Sequence, residues 1–276
     1  KLLAAGRLDR AREILLAYAN DRNARQMLED DGYPIAQVLG GDPERQYDLV
    51  RLAGVSSRTL QRIGLNPTAV FAIARKRLAS SARNEADARA ISAFVTESDL
   101  RQGISGADLI AALEAAAQAF PGRGETIERL GDAHVLAGEC EKALPRYRDA
   151  IASLTRGAPE RSPTVWKMGG EKGEFDANHA IIVKLTRAGL KAGRRNEVRR
   201  DVDQFVRDFT DFSSAVASAE AYELLGCDEP LFALRKRIFL ELAAEAKEDD
   251  EENGLASSAA VALGRLYLKH QRFEEA

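Results

Sequence analysis

The chain has 276 residues, 45% of them hydrophobic and 30% charged, a balance that supports a buried core and excludes wholesale disorder. Its formal net charge of -3 gives no general reason to expect a nucleic-acid partner. The two cysteines, Cys140 and Cys227, are too few for a disulfide framework and wrongly spaced for a zinc site.

Alanine, leucine, arginine and glutamate dominate and β-branched runs are short, so the local preference is helical over nearly the whole length. The most apolar run, residues 109–120, is interrupted by Glu114 and Gln118 and falls far short of the ~20 apolar residues that span a bilayer. The chain opens on Lys1 rather than Met, and Ala276 falls inside a helical pattern. A piece of a longer, soluble polypeptide is therefore expected, with a cytoplasmic setting favoured and any leader unreadable.

Taken in chain order, Gly6, Ala11 and Leu15 stand at the spacing of a turn followed by a helix, with Tyr18 further along it. Helical patterns follow at residues 44–53, 58–63, 67–80 and 85–95, separated by breaks rich in glycine, serine, asparagine and proline. Residues 99–120 form another, stopped by Pro121-Gly122. The stretch reads as irregular helical hairpins.

Within it, residues 49–63 resemble a DNA-binding helix-turn-helix. A helix runs into Gly54-Val55-Ser56, and a second helix follows with Leu60 and Ile63 inward and Arg58, Gln61 and Arg62 outward. Residues 44–77 hold seven basic and two acidic side chains, which could meet phosphate. The simpler reading is an αα-hairpin that turns on Gly-Val-Ser, and it is the one adopted.

From residue 125 onward the pattern becomes periodic. Residues 125–153 carry Ile127, Leu130, Gly131 and His134, then Gly138, Ala143, Tyr147 and Ala150. This resembles the tetratricopeptide repeat, with Ile127 in place of its tryptophan and His134 in place of its tyrosine. Small residues at Gly131 and Ala143 would let two antiparallel helices approach, with Leu130 and Tyr147 filling the space around them. Ala260, Leu263, Gly264 and Tyr267 repeat the first half of the pattern. Between them, Ile182, Leu185, Gly193, Val198, Val202 and Phe205 form one further unit, and Tyr222, Gly226, Leu231 and Arg235 another. Each turn glycine precedes a second-helix marker by five positions. The markers Ala143, Val198, Leu231 and Ala276 lie 55, 33 and 45 residues apart, against about 34 in the family, so insertions are expected near 155–175 and 245–254.

The resemblance implies an all-α fold, an irregular α-solenoid of antiparallel helical hairpins. Residues 1–106 would hold a partial hairpin and irregular hairpins, and residues 107–276 the repeat stack. It also implies a protein-protein interaction scaffold whose partner is a protein or peptide, held in a groove lined by the first helices. Carried over position by position, the groove residues are Glu128 and Asp132, then Val183, Arg187 and Lys191, then Glu220 and Glu223, and last Arg265 and Lys269. Trp166, the only tryptophan, is an alternative contact. The other function classes are a DNA-binding regulator using residues 49–63 and an accessory domain beside an enzyme.

Enzymatic chemistry finds no support in the residues. Gly169-Gly170-Glu171-Lys172-Gly173 lacks the order of a phosphate loop, and its glutamates would repel phosphate. His134, His179 and His270 occupy different units without metal-ligand spacing, and His134 sits at a packing position. No cofactor, metal or catalytic set is expected. Residues 241–252 hold seven acidic side chains and one basic, which reads as an exposed loop. Residues 191–200 hold five basic and one acidic around a turn, which could steer an acidic partner.

Overall fold

A computed structural model describes residues 44, 46–47, 66–80, 84–92, 94–95, 103–121, 123–156, 180–209, 212–245 and positions 261, 263–265 and 267–268. Among these residues every regular element is a helix and there is no strand. They fall into two compact units that divide between Ser153 and Leu154. The opening hairpin, residues 49–63, Trp166, Lys269, and most of the two expected insertions lie outside the described residues.

The first unit contains α1 (Pro67–Leu78), α2 (Glu85–Ser92), α3 (Gly106–Ala119), α4 (Gly124–Leu136) and most of α5 (Cys140–Arg156). Local chemistry starts three of them. Asn66 caps α1, its side-chain oxygen accepting from the backbone N–H of Thr68 at 3.1 Å and of Ala69 at 3.3 Å, with Pro67 at the first helical position. Asn84 and Asp87 form a reciprocal box at α2: Asn84 Oδ1 accepts from Asp87 N at 3.2 Å, and Asp87 Oδ2 accepts from Asn84 N at 2.8 Å. Ser105 precedes α3, flanked by Ile104 and Leu109, both buried, in the positions of a hydrophobic staple.

The core of this unit runs from Tyr47 through Val70, Phe71, Leu78, Ile91 and Phe94 to Leu113 and Leu130 as one cluster. It crosses residue 106 without a break, because α3 packs against α1, α2 and α4. Phe71 and Phe94 meet edge to face at 5.4 Å. The buried Tyr47 hydroxyl donates to the buried Asp87 carboxylate, so the cap of α2 is also a long-range tie.

The second unit contains α6 (Ala180–Lys191), α7 (Arg195–Asp208), α8 (Phe212–Leu225) and α9 (Asp228–Glu245). α6 pairs with α7 and α8 with α9, while α8 also lies against both α6 and α7. Val198, Val202 and Phe205 are buried at helical spacing on α7. Phe205 stacks on Phe209 at 4.5 Å, and Phe232 of α9 stacks on Tyr267 at 5.0 Å. Arg195 reaches from the start of α7 to donate twice to the Leu225 carbonyl, which ends α8.

Three hairpins close in the same way. Gly138, Gly193 and Gly226 adopt φ of +79°, +71° and +59°, the left-handed region that an L side chain disfavours. The N–H of the next residue bonds back across the end of the first helix: Glu139 to the His134 carbonyl at 2.8 Å, Arg194 to Gly189 at 2.8 Å, Cys227 to Tyr222 at 3.0 Å. That same residue then opens the second helix, its carbonyl accepting from Ala143 at 3.3 Å, Val198 at 3.0 Å or Leu231 at 3.2 Å. These three donors are the residues five places after each glycine, and all are buried. One residue therefore ends one helix and starts the next, which leaves no slack between them.

Gly131 of α4 lies under Tyr147 of α5. A Cβ at Gly131 would stand 2.6 Å from Tyr147 Cε1 and 2.9 Å from Cδ1. Alanine there would gain about 0.5–1 kcal/mol of helix propensity, but displacing a buried ring costs about 1–3 kcal/mol. Overpacking wins, so Gly131→Ala is expected to lower unfolding stability by roughly 1–2 kcal/mol in urea titration. Unchanged or raised stability would show that the ring moves aside freely.

Candidate functional site

The first-helix positions do not form one uniform surface. In α4, Asp132 Oδ1 accepts from the Tyr147 hydroxyl at 2.8 Å and Asp132 Oδ2 from Arg129 at 3.2 Å, so its carboxylate ties α4 to α5. Glu128 is half-buried one turn earlier. In α6, Val183 is 6% exposed, and Ile181, Ile182 and Leu185 are buried with it, so it belongs to the core rather than to a surface. The apolar face of α6 is wide enough to include it.

The remaining members are at the surface of the second unit. Arg187 of α6 and Glu220 of α8 stand 33 residues apart and form an ion pair at 2.7 Å, with side chains 61% and 50% exposed. Glu223, one turn beyond Glu220, accepts from Arg235 of α9 at 2.5 Å. Lys191 at the end of α6 is exposed, as is Arg265. The structure thus joins Arg187 to Glu220 across neighbouring first helices. Its charges are matched within the unit, and both partners remain in contact with solvent.

The first unit also holds a hollow that the spacing of residues did not indicate. Between α3 and α5 lies a hollow of about 590 Å³ walled by Ala107, Ile110 and Ala111 on one side and Lys142, Pro145 and Arg146 on the other, with His134 of α4 below. A smaller hollow of about 270 Å³ continues it past Ala117, Ile127 and Asp149. Glu114 and Arg146 line both, 3.8 Å apart. The signals for it were small residues at Ala107 and Ala111, one turn apart, and a proline inside α5, where it costs a helix hydrogen bond.

His134 is buried and hydrogen-bonded through Nδ1 to Glu139 Oε2 at 2.9 Å. Glu139 also accepts from Lys142 at 2.8 Å, and Lys142 with His134 holds its carboxyl below the usual range. This trio staples the α4–α5 turn. Among the described residues no group of three or more His, Cys, Asp or Glu side chains could hold a metal ion, and no helix is long and apolar enough to cross a membrane.

Comparison with protein-family models, curated proteins and solved structures finds no match to this chain.

Tyr147 has a counterpart in the second unit, where the Tyr222 hydroxyl of α8 donates to Asp203 of α7 at 2.8 Å. Burial, reinforced by the neighbouring carboxylate, pushes both phenols above their ordinary value. A phenol with a raised pKa in the fold contributes stability that is whole below the unfolded value of about 10 and is lost as pH rises beyond it. Unfolding free energy should therefore fall above about pH 10. Tyr147→Phe should cost about 1.5–3 kcal/mol at neutral pH, the range for a hydrogen bond to a charged group, and should flatten the alkaline fall. Denaturant titrations across that range check it; an identical alkaline fall in the variant would contradict the assignment.

Proposed function

We propose that this chain is a tetratricopeptide-like α-solenoid whose work is to hold another protein or a peptide against its first helices. The observation that carries the reading is the 33-residue repeat in the second unit. Gly193 and Gly226, Val198 and Leu231, and Arg187 and Glu220 are each separated by that interval and occupy equivalent places in successive hairpins. A repeat of about 34 residues made of two helices is the tetratricopeptide period. The side-by-side packing of α6 and α8, and the close fit of Gly131 to Tyr147, support the same reading.

Repeats of this kind bury a shared core and leave the first-helix face for a ligand. Here that face carries Arg187, Glu220, Lys191 and Glu223, of both signs within a short distance. A partner segment bearing both signs can exchange its charges for the intramolecular pairs at little cost, because exposed pairs contribute only about 0–1 kcal/mol. A uniform basic clamp for a terminal carboxylate is not what these residues make.

The test is a peptide-display selection against the full chain, repeated with Arg187→Glu, Lys191→Glu. The enriched peptides are expected to carry both acidic and basic residues and to lose roughly tenfold or more in affinity for the variant, a change of about 1.4 kcal/mol. Its circular dichroism should stay unchanged. No enrichment, or equal binding by the variant, would remove the first-helix face as the site.

A further inference from the structure

α7 divides its surface into three sectors. At about 100° per residue, Val198, Val202, Phe205 and Phe209 fall on one side and are buried. Glu197, Asp201, Gln204 and Asp208, spaced four, three and four apart, fall on a second. Arg195, Arg199, Arg200 and Arg207 share the third, Arg195 and Arg199 beside half-buried Val206 on one edge and Arg200 with Arg207 on the other, with Asn196 and Asp203 between them. The single carboxylate in this last sector, Asp203, already accepts from the Tyr222 hydroxyl.

The arginines of this sector are not neutralised. Arg195 spends its guanidinium on the Leu225 carbonyl, and Arg207 donates to Gln204 at 2.7 Å, neither of which carries charge. Arg199 and Arg200 are exposed and, like Arg195 and Lys191, make no ion pair with a carboxylate among the described residues. The run from Arg195 to Arg207 extends about 18 Å along the helix.

We propose that this arginine sector of α7 is a docking strip for an acidic segment of a partner protein. Guanidinium groups favour carboxylates, which they can bind with two parallel hydrogen bonds. The acidic sector begins beside these arginines with Glu197 and Asp201. A single extended or helical chain fits on the basic side alone. A nucleic-acid duplex would bring phosphates over the acidic side as well, where they are repelled. The strip lies on a second helix of its hairpin, so it is separate from Arg187 and Glu220 and does not rest on the repeat assignment.

The experiment is fluorescence anisotropy of a labelled peptide of alternating glutamate and alanine titrated with the full chain at about 50 mM salt, where exposed charges are weakly screened. Binding is expected, and Arg199→Ala, Arg200→Ala should weaken it roughly tenfold. Arg200→Glu, a single change at an exposed position, should act in the same direction. Arg75→Ala, Lys76→Ala on α1 removes equal charge elsewhere and should leave it unchanged. Absence of binding, equal weakening by the α1 variant, or tighter binding of a mixed-sequence DNA duplex lost in the α7 variant would each overturn the proposal. None of these variants touches the Arg187 surface, so the outcome is independent of the peptide-display selection.

Discussion

A residue that must sit in the left-handed region closes each of three hairpins, and much of the packing follows from that constraint. With glycine at Gly138, Gly193 and Gly226 the chain reverses over a single linking residue. The next helix must then begin at once, and its first inward residue falls five places after the glycine. Ala143, Val198 and Leu231 are buried for that reason. A longer or looser turn would let the second helix rotate or slide, and neither Tyr147 over Gly131 nor Val198 in the α7 core would be held in place.

Polar groups then fix what the turn has brought together. Tyr147 with Asp132 and Tyr222 with Asp203 use the same chemistry for two different junctions. The first joins the two helices of one hairpin, and the second joins a hairpin to the next. Arg195 adds a third device by ending α8 from α7. These ties consume two carboxylates and one guanidinium. What remains outside is an uneven distribution of charge, with the signs paired between Arg187 of α6 and Glu220 of α8 and segregated to different sides of α7.

Local features were legible in the sequence. The glycine followed five residues later by a buried apolar residue depends only on turn geometry, so Gly138 to Ala143, Gly193 to Val198 and Gly226 to Leu231 could be read from spacing alone. Helix starts at Asn66 and Asn84 were equally local. The tertiary features were not legible. Nothing in the order of residues says that Tyr147 chooses Asp132 or that Tyr47 reaches Asp87, forty positions away. The tetratricopeptide register assigns Val183 to the groove, yet the breadth of the α6 apolar face buries it. The unbroken core across residue 106 and the hollow between α3 and α5 also depend on which helices meet, which periodicity does not encode. Of the groove residues, position alone was readable; the pairing of Arg187 with Glu220 needed the packing of α6 on α8.

One glycine turn, repeated, sets the architecture of these hairpins. Amide hydrogen exchange on the full chain tests it most directly, read at Glu139, Arg194 and Cys227, the residues whose N–H groups bond back across each helix end. Their turns are at the surface, so an unformed turn would exchange at the rate of open chain. Slow exchange is expected at all three, comparable with the helical amides of the buried residues Ala143, Val198 and Leu231. Rapid exchange at these three amides, with the helices on either side still protected, would contradict it.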